Sequence, residues 1–214
     1  TYFLASLRHQ MRYASTLRID HVMGLHRLFC IPKGFGPREG VYVRQPEDEL
    51  YAAVCIESYR SETSIVGEDL GTVPDEVRAR MARHGVARLF VLQYEDVPEP
   101  GCTYPVPAGA VASLNTHDMP TFTGFLRGRD LDTRRELGLL DDDGLSRERA
   151  ERQRYRDRLE RSLESLGLIQ RPSSDENVLH AELLCLGGSP AQLALTRLDD
   201  LLGEAEPQNV PGTS

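Results

Sequence analysis

The chain has 214 residues, of which 40% are hydrophobic and 27% charged, with a formal net charge of −8 and a pI near 5.3. This length and composition predict a globular protein with a sizeable buried core. Its apolar runs are shorter than the roughly 18 residues that a transmembrane helix requires. The negative charge argues against binding to nucleic acid or to an anionic membrane, since both need a cluster of basic side chains.

The cysteine and histidine positions predict no metal and no cofactor. The four cysteines form no C-x-x-C pair, which is typical of ordinary thiols in a cytoplasmic protein. Four histidines without a partner at metal-ligand spacing are interpreted as surface or packing residues: His9, His26, His84 and His180. The glycine-rich stretch 34–40 lacks the Gly-Lys-Ser/Thr ending of a phosphate loop, and no Gly-x-Ser-x-Gly motif is present.

The predicted elements alternate between helices and strands. In chain order they are a helix over 2–13, a strand over 17–20, a long Gly/Pro-rich loop over 24–45, a helix over 46–59, a strand over 64–67, a helix over 74–84 ended by Gly85, strands over 88–93 and 111–114, a helix over 175–186 and a strand over 193–196. This alternation predicts an α/β fold with parallel strands. The charge-dense stretch 130–168 predicts exposed helices joined by ion pairs, without a buried element.

An acidic residue follows each of three predicted strands: Asp20, Glu68 and Asp118. The first two acids are 48 residues apart and the last two are 50 apart, which is close to the length of one or two strand-helix units with loops. Because the carboxyl ends of parallel strands meet at one face of such folds, we expect the three acids to share a cleft.

Facing carboxylates suit the chemistry of glycosidic bonds, where one acts as nucleophile or base and the other protonates the leaving oxygen. Arg18 precedes Asp20 by two residues on the same face of the strand, so we expect it to orient that carboxylate. Each motif alone also fits a surface pair, a helix cap or a turn.

Several motifs, taken in order, resemble 4-α-glucanotransferases, the amylomaltase or disproportionating-enzyme family related to the α-amylases. They are Leu17-Arg18-Ile19-Asp20-His21-Val22-Met23-Gly24-Leu25, Ile31-Pro32, Gly40-Val41-Tyr42-Val43, Gly67-Glu68-Asp69-Leu70-Gly71-Thr72-Val73-Pro74, Val91-Leu92-Gln93-Tyr94, Thr116-His117-Asp118 and Asn209-Val210-Pro211-Gly212-Thr213. Cys30 departs from the pattern, because an aromatic residue usually stands there, and so does Met119-Pro120 after Asp118. These departures concern acceptor preference.

The resemblance implies a role for each matching residue. Asp20 corresponds to the nucleophile, Glu68 to the general acid/base and Asp118 to a stabilising acid. The remaining positions correspond to substrate-binding residues. Arg18 and His117 correspond to residues that hold the nucleophile and touch the sugar in the donor subsite, His21 to a further substrate-binding residue, and Asn209, Pro211 and Gly212 to an acceptor-side loop. The segment from Met23 to Val43 looks like a lid over the sugar.

The resemblance also implies the architecture and the reaction. The expected fold class is α/β, a partial (β/α)8 TIM barrel with strands about four to eight. Residues 1–214 would be the C-terminal part of a catalytic barrel, a fragment that lacks the N-terminal strands and the extreme C-terminus. The expected substrates are maltooligosaccharides and α-1,4-glucans. Two alternatives stay open, an α-amylase-type hydrolase and a non-catalytic α-glucan-binding fragment.

Overall fold

The computed structural model describes residues 2–210 and divides into two compact units, Thr1–Leu89 and Phe90–Ser214. Among the described residues, no helix is long and apolar enough to cross a membrane. The four cysteines are free: Cys30 and Cys102 are exposed, and Cys55 and Cys185 are half-buried.

The first unit alternates helices and parallel strands, as the sequence predicts. Its elements are α1 (Tyr2–Met11), β1 (Thr16–Ile19), β2 (Arg27–Cys30), β3 (Val41–Arg44), α2 (Glu47–Ser61), β4 (Ser64–Gly67) and α3 (Asp75–Arg83), followed by β5 (Ala87–Val91), which runs past the boundary between the units. Strand β4 pairs in parallel with β1 and with β5. Helix α3 is followed by Gly85 in the left-handed conformation, the predicted helix stop.

The core of the first unit lies between its helices and these strands. It includes Leu7, Met11, Val22, Tyr51, Val54 and Met81, with Leu17 and Ile19 of β1 packed against it. Asp20 and Glu68 therefore follow strands that are anchored on a packed core.

The stretch 24–45 differs from its prediction as a long loop. Strands β2 and β3 form an antiparallel hairpin in which Phe29 lies opposite Tyr42, with ring centroids 5.0 Å apart. A 3-10 helix over Val22–Leu25 precedes it and another over Pro37–Glu39 lies within its connection. The glycines and prolines belong mainly to that connection, while aromatic and β-branched residues on either side favour strands. The prediction of a continuous loop is therefore wrong.

The second unit has more helix. It contains a 3-10 turn over Leu92–Tyr94, then β6 (Val111–Ser113), α4 (Phe122–Arg127), α5 (Arg129–Glu136), α6 (Asp142–Ser165), α7 (Asp175–Gly187), β7 (Leu193–Leu195) and α8 (Leu198–Leu201). Strands β6 and β7 pair in parallel, with Val111 opposite Leu193. Its core includes Leu92, Leu114, Phe122, Leu159, Leu163 and Val178.

Helices α5 and α6 confirm one part of the prediction for 130–168 and contradict the other. Ion pairs such as Arg152–Asp130, at 2.9 Å, join the two helices. However, Leu131 and Leu159 are fully buried and Leu163 is 1% exposed. Leucines one helical turn apart are enough to give a highly charged helix a narrow apolar stripe, and the expectation of no buried element is therefore wrong.

Candidate active site

The Asp20 carboxylate is held by the preceding arginine of the same strand end. Arg18 Nη2 lies 2.6 Å from Asp20 Oδ1. Residues two apart in a strand point to the same side, so the pair follows directly from the strand pattern of β1. The Asp20 side chain is 77% exposed, which leaves it accessible while the ion pair with the guanidinium favours one orientation of the carboxylate.

The Glu68 carboxylate is held by backbone groups. Glu68 Oε2 accepts a hydrogen bond from the His21 amide at 2.8 Å, and Oε1 accepts one from the Leu70 amide at 2.7 Å. Both donors are main-chain N–H groups, whose positions are fixed by the fold. The carboxyl group is therefore preorganised, and each oxygen keeps a further lone pair for a proton or a ligand.

Strand register brings Asp20 and Glu68 to adjacent positions in the first unit. Ile19 lies opposite Gly67 in the parallel pairing of β1 with β4, and each acid follows its strand directly. Because the strands are parallel, both acids lie at the same, carboxyl-terminal end of the sheet. Neighbouring strands are about 4.8 Å apart, so the two positions are also close to each other. A Cβ at Gly67 would lie 2.8 Å from the Met81 methyl group, so glycine allows the close packing that precedes Glu68.

His21 joins the two acid motifs through an unusual backbone conformation. Its φ of 47° and ψ of 60° are in the left-handed region, where residues other than glycine are uncommon. This conformation turns the chain out of β1 so that the His21 amide faces Glu68. A strained residue at such a position is typical of functional sites. The imidazole itself is exposed.

In the second unit, the third predicted acid contacts two other predicted site residues. Asp118 Oδ1 accepts a hydrogen bond from Asn209 Nδ2 at 2.7 Å, and His117 Nε2 lies 3.2 Å from Asp118 Oδ2. His117, Asp118 and Asn209 are all exposed. Pro211 and Gly212, the other two predicted acceptor-side residues, lie outside the described residues.

One supporting residue of this loop, Asp200, was not found by the sequence analysis. Asp200 is fully buried and accepts hydrogen bonds from Asn115 Nδ2 at 2.9 Å and from the Phe122 amide at 2.6 Å. These two residues flank the segment that carries His117 and Asp118. The buried carboxylate therefore closes the base of that loop. Within the part of the chain that the structure describes, no group of three or more His, Cys, Asp and Glu side chains could hold a metal ion.

Comparison with known proteins identifies the family to which the chain belongs. All of residues 1–214 match the sequence model of the family described as 4-alpha-glucanotransferase. The chain belongs to the 4-alpha-glucanotransferase family. It is 36% identical to 4-alpha-glucanotransferases of Mycobacterium tuberculosis (strain H37Rv) and Haemophilus influenzae, each alignment covering 99% of this chain. The same alignments cover 30% and 32% of those proteins, so the chain spans about a third of their length.

Solved structures of amylomaltases confirm the expected fold class. The amylomaltase from Corynebacterium glutamicum matches 99% of this chain and 32% of its own, with a TM-score of 0.88 and 28% identity. A structure of the amylomaltase from Streptococcus agalactiae in complex with acarbose covers 99% of this chain and 38% of its own, with a TM-score of 0.73 and 17% identity, and supports the fold alone. The chain is thus an α/β protein with the parallel strands of a partial (β/α)8 barrel.

Proposed function

We propose that the protein containing this chain is a 4-α-glucanotransferase, which moves segments of α-1,4-glucans to the 4-hydroxyl of glucose or another glucan. The observation that carries the proposal is the pair of preorganised acids in the first unit. Asp20 is bound by Arg18, and Glu68 is held by two backbone amides at the end of the neighbouring strand. Membership of the family supports the same assignment.

The proposed reaction is a retaining double displacement. Asp20 attacks the anomeric carbon, and the bond from that carbon to the leaving oxygen breaks as Glu68 gives that oxygen a proton. This step leaves a covalent glucosyl-enzyme. Glu68 then takes the proton from the 4-hydroxyl of an acceptor, whose oxygen attacks the anomeric carbon and releases Asp20. The second inversion restores the α-configuration.

The other predicted site residues take binding roles in this proposal. Asp118 would accept hydrogen bonds from sugar hydroxyls, and such contacts raise the rate when they strengthen in the transition state. Arg18, His21 and His117 would contact the donor sugar, while Asn209, Pro211 and Gly212 would line the acceptor side. The substrates would be maltooligosaccharides and α-1,4-glucans.

We further propose that residues 1–214 form the C-terminal part of a catalytic barrel whose N-terminal half comes from the same full-length protein. The share of the relatives' length that the chain covers, 30% and 32%, supports this view. A cytoplasmic location is part of the same proposal, and the four free cysteines agree with it.

The test is the reaction of the full-length protein with maltotriose. A transferase forms glucose together with glucans longer than maltotriose, whereas a hydrolase forms only shorter sugars and a non-catalytic binding protein forms neither. Asp20→Asn and Glu68→Gln should each lower turnover by at least about a thousandfold, because each removes a group on which the covalent steps depend.

The matched control is Glu49→Gln, the same substitution at an exposed glutamate of α2. It should leave turnover unchanged, and circular dichroism should show that all three variants are folded. Near-normal transfer by a folded Asp20→Asn or Glu68→Gln variant would remove the assigned roles.

A further inference from the structure

An arginine that follows strand β7 donates hydrogen bonds to both sides of the loop that carries Asp118. Arg197 Nη1 donates hydrogen bonds to the carbonyl oxygens of Thr116 and Met119, each at 3.1 Å. These two carbonyls flank His117 and Asp118 in the chain. One guanidinium nitrogen therefore binds both ends of the turn from which the two predicted site residues project, a turn that the Met119 amide also closes by donating to the Thr116 carbonyl oxygen at 3.1 Å.

Through the Asp199 carboxylate, the same arginine is linked to the Gln208–Asn209 segment, which also contacts Asp118. Arg197 Nη2 lies 3.0 Å from Asp199 Oδ2, and Asp199 Oδ1 accepts a hydrogen bond from Gln208 Nε2 at 2.8 Å. The next residue, Asn209, donates to Asp118 Oδ1 at 2.7 Å. The contacts form a closed ring that begins and ends on the Asp118 loop.

The members of the ring differ in how far their side chains are exposed, and therefore in how firmly packing holds them. The Arg197 and Asp199 side chains are 18% and 16% exposed, whereas the Asp118 side chain is 53% exposed. Asp118 thus has little packing of its own to restrain it. The planar guanidinium presents several N–H groups in a rigid fork and keeps its charge, so it can bind two carbonyls and a carboxylate at once.

We propose that Arg197 and Asp199 form a positioning pair that fixes the distance and orientation between the Asp118 loop and the Gln208–Asn209 segment. The pair touches no substrate. It acts by holding the Asp118 carboxylate and its Asn209 partner where a donor sugar would meet them, and in this respect it rests on the proposed function. Misplacing a reacting or stabilising group by about 1 Å can lower a rate about a hundredfold, which is the scale of effect that loss of the pair should have.

The first test is kinetic and uses Arg197→Met in the full-length protein. We expect kcat for transfer from maltotriose to fall about 10- to 100-fold, with a much smaller change in KM, because Asp118 is assigned to the transition state. In Arg197→Ala, which leaves space for the ion, added guanidinium at millimolar concentration should restore part of the lost rate, whereas the same concentration of sodium chloride should not. A purely structural role would give neither the selective fall in kcat nor the rescue.

The matched control is Arg129→Met. Arg129 Nε lies 3.5 Å from Glu206 Oε1, and both side chains are exposed, at 54% and 70%. This pair also reaches the segment before Asn209 but does not touch the Asp118 loop, so its loss should leave kcat unchanged. If Arg197→Met does not fold, Asp199→Asn provides the second variant, since it keeps the shape of the side chain and weakens only the link between Arg197 and Gln208.

The second test does not depend on activity. Hydrogen exchange measured by mass spectrometry should be faster in Arg197→Met than in wild type for peptides covering 116–119 and 206–210. Arg129→Met should leave exchange of the 116–119 peptide unchanged, because Arg129 contacts only Glu206 of the second segment. If the wild-type protein performs no transfer, the proposed function fails, and the exchange data alone then decide whether the pair couples the two segments. Unchanged exchange, or a wild-type kcat in Arg197→Met, would overturn the inference.

Discussion

Glu182, on α7, is a carboxylic acid placed in the core of the second unit. Its side chain is fully buried, and Tyr104 donates its hydroxyl to Oε1 at 3.3 Å. No hydrogen-bond partner of Oε2 is found within residues 2–210. Burial raises the pKa of Glu182 from 4.5 to about 8, while the hydrogen bond from Tyr104 opposes this shift. The acid therefore stays protonated in the folded protein at neutral pH.

This raised pKa predicts that the contribution of Glu182 to stability falls as the pH rises. Between about 4.5 and 8, the unfolded chain releases the Glu182 proton and the folded chain retains it. Fewer protons bound in the unfolded state mean that the free energy of unfolding falls with pH, by up to about 1.4 kcal/mol per pH unit for one group. Glu182→Gln should remove this contribution. Urea unfolding of both proteins at several pH values across this window measures it.

Glu176→Gln is the control for this prediction. Glu176 lies on the same helix but is exposed, so its variant should keep the wild-type dependence on pH. If the free energy of unfolding changes with pH equally in wild type and in Glu182→Gln, the Glu182 carboxyl group is not the source of the pH dependence.

The sequence predicts local contacts of the site better than distant ones. Arg18 meets Asp20 because residues two apart in a strand share a face. The contact between Asn209 and Asp118 spans 91 residues, and spacing alone carries no information about it; only the family resemblance suggested Asn209. The sequence analysis did not find Arg197, because its partners on the Asp118 loop are backbone carbonyl oxygens, which are present whatever the side chain is.

Asp69 connects the strand that ends before Glu68 to the elements around it. Its buried carboxylate binds Arg88 Nε at 2.7 Å and Arg78 Nε at 3.3 Å, and it accepts the Leu89 amide at 3.1 Å. Arg78 lies on α3, and the other two partners on β5. One residue therefore ties β4 to its neighbours in the first unit directly beside a proposed catalytic acid.

Asp69→Asn should destabilise the first unit by about 2 to 4 kcal/mol, because it removes a buried charge from three hydrogen bonds. The two arginines are about a third exposed, at 31% and 37%, so water can solvate them and the loss stays below that of a fully buried pair. The full-length variant should unfold at lower urea concentration, measured by circular dichroism.

Asp75→Asn is the matched control for this change. Asp75 also pairs with Arg78, at 3.7 Å, but it is fully exposed, and such surface pairs contribute little to stability. A stability loss as large in Asp75→Asn as in Asp69→Asn would contradict the assignment to burial.

Elements with a strong apolar pattern were predicted with the right type and nearly the right ends. Strand β4 has the predicted bounds, 64–67, and its last three residues are buried. The hairpin was missed for the opposite reason: every residue of β3 is exposed, so no alternation between buried and exposed positions marks it. Helix α6 was underestimated because charged residues outnumber the few leucines that anchor it.

Each unit leaves apolar side chains exposed to solvent. In the first, Phe35 is 63% exposed and Val41 60%; in the second, Leu193 and Leu195 of β7 are 42% and 46% exposed. Exposed apolar patches and free strand edges favour association. The relatives are about three times as long as this chain, so we expect the remainder of the full-length protein to cover much of this surface.

We expect residues 1–214, expressed alone, to associate and to transfer glucan segments far more slowly than the full-length protein. Uncovered apolar surface drives the association. Transfer is slow because the isolated chain lacks part of the structure that positions the catalytic groups, and small displacements of such groups lower the rate steeply. Light scattering coupled to sizing chromatography, at several concentrations, measures the first effect, and glucan formation from maltotriose the second. Leu195→Lys should reduce association of the isolated chain without restoring transfer, because a charge on an exposed strand opposes pairing with another chain. A monomeric chain with full-length transfer rates would mean that these residues already form a complete catalytic domain.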